Sequence, residues 1–150
     1  MVSGSASAET YHRGRKRAAG AGATLLTIAG LSWACLRYRP SRVQIEGVSM
    51  APTLVPGDWA LVAAPRRFSR DDVVVVEHPE RPGYEMVKRL VGVPGDRMSD
   101  RILGADEFWI EGDHERASTD SRAFGPVRPG SLKAKVLLVY WPPERRRRVR

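Results

Sequence analysis

The most strongly patterned stretch of the chain is apolar without interruption. "AAGAGATLLTIAGLSWACL", residues 18–36, contains no charged side chain. As a helix it reaches roughly 28 Å, close to the ~30 Å hydrocarbon core of a bilayer. Arg13, Arg15, Lys16 and Arg17 precede it, and Arg37, Arg39 and Arg42 follow it. Trp33 and Tyr38 lie near one end, where interfacial aromatics concentrate, and Pro40 stops the helix. The pattern predicts a basic N-terminal tail over 1–17 and a single transmembrane anchor over 18–36. A cleaved secretory signal competes with the anchor, although the apolar run is long for one and basic residues follow it directly. A lipoprotein signal ending at Cys35 fits poorly, because Ser32 and Trp33 stand before it. A buried soluble helix of so many Gly and Ala would make a thin core element. The flanking charge points to a cytoplasmic N-terminus, with the rest of the chain on the extracytoplasmic side.

Beyond Pro40 the period changes. "RVQIEG" (42–47) alternates apolar and polar positions. "DWALVAA" (58–64) is a short apolar run between turn formers, and "DDVVVVEHP" (71–79) holds four consecutive valines, the pattern of a buried strand. "YEMVKRLVGV" (84–93) alternates up to Gly92, and "EFWIEG" (107–112) and "KAKVLLVYW" (133–141) complete a set of six strands. Residues 113–131 read as loop. Six short strands separated by Gly and Pro predict a mostly β fold, a small antiparallel barrel-like domain over 42–142 behind the one helix.

Charge and cysteine usage narrow the function classes. Lys and Arg number 25 against 17 Asp and Glu, a formal charge of +8. Much of the excess lies in "HRGRKR" (12–17) and "ERRRRVR" (144–150), so residues 143–150 are expected to be a solvated basic C-terminal tail, with lipid headgroups as the other contact. No helix-turn-helix or zinc-finger spacing accompanies these runs, which argues against a nucleic-acid partner. Cys35 is the only cysteine and His12, His78 and His114 are scattered, so neither a disulfide nor a metal site is expected. Nothing in the sequence calls for a cofactor.

"GVSMAPTLVPGDWALV" (47–62) raises the question of chemistry. Ser49 opens a stiff, punctuated segment, and a serine nucleophile needs a base. No "GxSxG" elbow surrounds it, which argues against an α/β-hydrolase arrangement. Lys88 in "EMVKRLV" is another base. Among Met86, Val87, Leu90 and Val91 its ammonium would lose hydration and its pKa would fall, and a Ser–Lys pair is a known form of nucleophile and base. Taken singly, a strand lysine is an ordinary surface group and a serine in "GVSM" an ordinary turn residue.

Three blocks in order carry more. "SMAPTLVPGD" (49–58), "VKRLVGVPGD" (87–96) and "FWIEGDHERASTDSRAFGPV" (108–127), continued by "VLLVYWP" (136–142), resemble the type I signal peptidase family of membrane-bound Ser/Lys endopeptidases. The third block is most similar to the small members, the mitochondrial inner-membrane peptidases and the proteases that mature nickel superoxide dismutase. The resemblance implies Ser49 as nucleophile, Lys88 as general base and Met50 beside the cleft. It also implies Ser118 orienting the lysine, and an Asp120–Arg122 ion pair also reached by Arg89. Preproteins with N-terminal leaders are the implied substrates and the lipid bilayer the implied partner. A dedicated leader protease, such as one for nickel superoxide dismutase, is the alternative to a general signal peptidase. Two features depart from the family pattern. "GDH" stands at 112–114 where "GDN" is common. Gly47 stands where some members carry a hydroxyl that donates to the oxyanion, so backbone donors including the Ser49 N–H are expected to serve. Only residues 97–107 separate the second and third blocks, too few for an extra β domain. Two other classes remain from the residues alone: a self-cleaving Ser–Lys repressor, which needs a DNA-binding module absent from 1–40, and an inactive membrane-anchored β interaction module.

Overall fold

A computed structural model describes residues 40–149 of the chain, together with Gly30 and Ser32. The chain divides into two compact units, residues 1–37 and 38–150. The expected tail over 1–17 and anchor over 18–36 lie outside the described residues, Gly30 and Ser32 apart. Among the described residues no helix is long and apolar enough to cross a membrane.

The second unit is mostly antiparallel β. Its strands are β1 (Ser41–Gln44), β2 (Trp59–Ala63), β3 (Val73–Glu77), β4 (Glu85–Gly92), β5 (Arg97–Met98), β6 (Arg101–Ile102), β7 (Trp109–Glu111), β8 (Leu132–Trp141) and β9 (Arg147–Arg148). All six strands expected from the pattern are present, most of them trimmed at the ends. β3 starts at Val73 because the Asp72 carboxylate is committed to the preceding turn, where it accepts the Ser69 N–H at 2.9 Å, and to Lys135. One sheet runs β1-β2-β8-β3-β4-β7, with every pairing antiparallel, and β5 and β6 form a separate hairpin. That order ends at β1 and β7, so hydrogen bonding among the described residues makes an open path rather than a ring.

The valine run of β3 supplies both faces of the sheet. Val73 and Val75 join Ile45, Met50, Leu54, Val62 and Val136 on one side, while Val74 and Val76 join Leu90, Ile110, Val127 and Leu132 on the other. Successive strand residues face opposite ways, so a sheet covered on both faces selects an unbroken β-branched run.

Two expectations change. Residues 143–149 are not a solvated tail. After a 3-10 turn at Pro143–Arg145, β9 pairs with β8 (Leu138↔Arg148, Val139↔Arg147), and Val149 is buried in the core. Arg145 grips the buried Asp58 carboxylate with Nε at 2.7 Å and Nη2 at 3.0 Å. The arginines project from an edge strand while the backbone between them completes the ladder. Residues 113–131, read as loop, hold 3-10 turns at Glu115–Ala117 and Pro129–Ser131, and one α-helical turn at Ser121–Phe124. The Asp120 side chain caps that helical turn by accepting the Arg122 N–H.

Candidate active site

Ser49 sits in the turn after β1. The turn is closed by the Ala51 N–H donating to the Val48 carbonyl at 3.0 Å and the Leu54 N–H to the Met50 carbonyl at 2.8 Å. Met50 and Leu54 are buried in the core, so the half-buried serine between Val48 and Met50 is held from beneath. Met50 therefore supports the nucleophile turn more than it offers surface, although it still lines the cleft beside Ser49. From above, the Ser49 carbonyl accepts the His114 N–H at 2.9 Å. Gly47 is exposed at the edge of the same cleft, and nothing lies within 4 Å of where its Cβ would be.

Lys88 is central in β4 and only 3% exposed. It pairs across the sheet with Val74, and Met86 and Leu90 flank it on the same face. Burial pushes its ammonium below the ordinary lysine range. The neighbouring Arg122 charge acts in the same direction and Asp120 opposes both. Ser49 and Lys88 line one open cleft of about 540 Å³, with Glu46, Gly47, Met86 and Thr119 among its other walls.

The loop after β7 secures the amine. Lys88 Nζ donates to Ser118 Oγ at 2.8 Å, and Ser118 Oγ donates to Asp120 Oδ2 at 2.6 Å. A serine hydroxyl has one hydrogen. With that hydrogen on Asp120, Ser118 accepts from the lysine and leaves the lone pair of a neutral amine unused. Asp120 is fully buried and also accepts from the Gly112 N–H at 2.9 Å, Arg122 Nε at 2.9 Å and Arg122 Nη2 at 2.6 Å. Burial alone would raise its pKa, but these donors outweigh it and hold the carboxyl at about 2. Arg122 is further ion-paired with Glu115 at 3.1 Å.

Arg89 differs from the expectation. Consecutive strand residues face opposite sides, so Lys88 and Arg89 diverge. Arg89 clasps Asp113 through Nε and Nη2, both at 2.8 Å, donates to the Asp71 carbonyl at 3.0 Å and reaches Thr53 Oγ1. The carboxylate it holds is Asp113 rather than Asp120, which ties β4 to the loop behind Ser49. The sequence places Gly112 at the end of a strand and in the "GDH" of the third block, with no role of its own. A Cβ there would fall 2.5 Å from the Ser49 carbonyl oxygen and 2.6 Å from Ser118 Cβ, and closer still to Ser118 Oγ. No local pattern announces such a requirement, because both neighbours are remote in the chain or across a turn.

The depressed Asp120 carboxyl makes a prediction about stability. Its folded value of about 2 lies below the ~3.9 of a free aspartate, so its contribution is complete above pH ~4. The contribution disappears as pH falls toward 2 and is on the order of 1–2 kcal/mol, the lower end allowing for solvent screening. Denaturant unfolding between pH 5 and 2 should show this slope in the native chain and a shallower one in Asp120→Asn. Equal slopes would remove Asp120 as its source.

The family model described as "Signal peptidase, peptidase S26" matches residues 18–101. The chain is 39% identical over 125 residues to the mitochondrial ATP-independent inner membrane protease subunit 1a of Arabidopsis thaliana, covering 72% of this chain and 74% of that protein. It is 34% identical over 121 residues to the mitochondrial inner membrane protease subunit 2 of Saccharomyces cerevisiae, covering 68% of each, and 35% identical over 122 residues to the human subunit 2, covering 68% of this chain and 67% of that protein. The chain belongs to the signal peptidase family, the S26 peptidases. It is a serine endopeptidase of the signal peptidase type, which separates it from self-cleaving repressors and from inert β modules.

Proposed function

We propose that Ser49 is the nucleophile and Lys88 the general base of a membrane-anchored peptidase that removes leader peptides from preproteins. One observation carries the assignment: a buried lysine, its amine held by a hydroxyl that is itself held by Asp120, opens on the cleft that contains Ser49. The neutral amine takes the Ser49 proton as Oγ attacks the scissile carbonyl. The resulting lysine ammonium protonates the departing amine, leaving an acyl-enzyme at Ser49. The amine, neutral again, deprotonates the water that hydrolyses this ester. Backbone N–H groups near Ser49 serve the oxyanion, since Gly47 has no hydroxyl to offer.

The strand pairings support an extended substrate. β7 pairs with β4 only from Arg89 onward, so on that side the 85–88 segment has no partner strand among the described residues. A peptide strand can add there beside Lys88. The apolar run 18–36 and the inner-membrane relatives support a single-pass anchor, and the flanking charge supports an extracytoplasmic catalytic domain. The full chain in liposomes, given preproteins with and without their leaders, is expected to cut one discrete bond at the end of the leader, read by sequencing the new N-terminus. Absence of cleavage, or cuts scattered through mature segments, would contradict leader processing.

A further inference from the structure

His78 is a polar side chain of the cleft wall that the mechanism does not use. It follows β3 directly, and its N–H donates to the Tyr84 carbonyl at 2.8 Å, extending the β3–β4 ladder by one pair. Strand alternation puts it on the face of Val74 and Val76, the same face as Lys88 and Met86 on β4 and Tyr84 just before it. The residue is buried, only 7% exposed. Its ring centroid lies 5.1 Å from that of Phe124 and 6.1 Å from that of Tyr84, which restricts its orientation.

The tautomer follows from the backbone. Nδ1 accepts the Glu80 N–H at 3.1 Å, so in the neutral ring the hydrogen resides on Nε2. Nε2 has no hydrogen-bond partner among the described residues, yet no fully buried side-chain nitrogen or oxygen there is left unsatisfied. The Nε2–H therefore reaches solvent, and the space that His78 lines is the cleft shared with Ser49 and Lys88. Arg81 and Tyr84 also line that end, but both are exposed and exchange freely with water. His78 differs because a peptide side chain reaching over it would cut its Nε2–H off from solvent. An apolar side chain there would leave a polar hydrogen unpaired.

We propose that His78 is a specificity-determining residue: its Nε2–H donates to a side-chain acceptor on the substrate, an amide, carboxylate or hydroxyl oxygen. The inference rests on the reading of this cleft as the substrate site. Register sets the position. Tyr84, just before β4, lies four residues from Lys88, roughly 13 Å at ~3.3 Å per residue. A strand added along that free edge presents alternate side chains to this face, one by the dyad, the next beside Met86, and the next beside Tyr84, from where it reaches over the strand to His78 about two strand spacings (~9.6 Å) away. The acceptor therefore belongs four residues from the side chain beside the dyad.

The test uses the full chain in detergent micelles carrying Ser49→Ala, so that binding is read without turnover. Fluorescent extended peptides differ only in Asn or Leu at one position, scanned along both sides of the scissile bond, and anisotropy gives their affinities. One position, four residues from the scissile residue, should favour Asn about tenfold, the worth of one net hydrogen bond. His78→Phe, which has no donor, should abolish the difference between the two peptides. His78→Gln, whose amide nitrogen reaches about where Nε2 lies, should restore it. The proposal is overturned if no position discriminates, if the preference survives in His78→Phe, or if His78→Gln fails to restore it. Cleavage of any peptide by the Ser49→Ala chain would instead overturn the catalytic reading and leave the binding preference standing.

Discussion

Alanine at Ser49 or at Lys88 is expected to remove peptide cleavage while the sheet stays folded. Ser49 lies at the cleft surface, and its turn is held by the Met50 and Leu54 side chains and by backbone hydrogen bonds, none of which needs the Ser49 hydroxyl. Lys88→Ala removes the amine but leaves Ser118 donating to Asp120 and Asp120 held by Arg122, so no charge is stranded. Positioned proton transfer alone is worth ~10²–10⁴-fold, and losing the nucleophile removes the covalent route entirely. Each single variant should therefore fall by about 10³-fold or more. The double variant should be no worse than either single one, because the groups act as a unit. Initial rates on a leader peptide, with circular dichroism to verify folding, measure this. Turnover near the native rate in either variant would remove that residue from the dyad.

A second large loss is expected where no chemistry is touched. Gly112→Ala places a methyl group against the Ser49 carbonyl oxygen and the Ser118 side chain. Neither neighbour yields readily. The Ser49 carbonyl is bonded to the His114 N–H, and Ser118 is fixed between Lys88 and Asp120. Relief requires moving nucleophile and amine apart, and a misplacement of ~1 Å can cost about 10²-fold in rate. The overpacking should also destabilise the fold by about 1–3 kcal/mol. Kinetics beside denaturant unfolding separate the two effects, and a Gly112→Ala chain with native kcat and native stability would contradict this packing.

How much of this could be read from the sequence differs residue by residue. β4 was legible because its alternation is long, and that alternation put Met86 and Lys88 on one face. Ser118, Asp120 and Arg122 were legible only through the resemblance of the third block, since their meeting depends on a turn between β7 and β8. Arg89 beside the Asp120–Arg122 pair likewise came only from the resemblance, and the structure gives it a different carboxylate: the pleat sends Lys88 and Arg89 to opposite faces, and Asp113 waits on the other one. The C-terminal arginines read as a tail because a two-residue strand has no measurable period and its charges mask it. Only the tertiary pairing with β8, and Arg145 on buried Asp58, reveal it. His78 carried no motif, and its interest arises from the Glu80 N–H that fixes its tautomer.

Whether Lys88 acts as a neutral amine is decided by the pH–rate profile. Burial lowers the lysine pKa, and the catalytic form is the unprotonated one. Activity should therefore rise with pH through a single ionisation below the ~10.4 of a free lysine. Lys88→Arg should stay inactive across the range, because a guanidinium does not deprotonate. A rate that is flat from acid to alkaline pH, or a Lys88→Arg chain that cleaves, would show that another group takes the Ser49 proton.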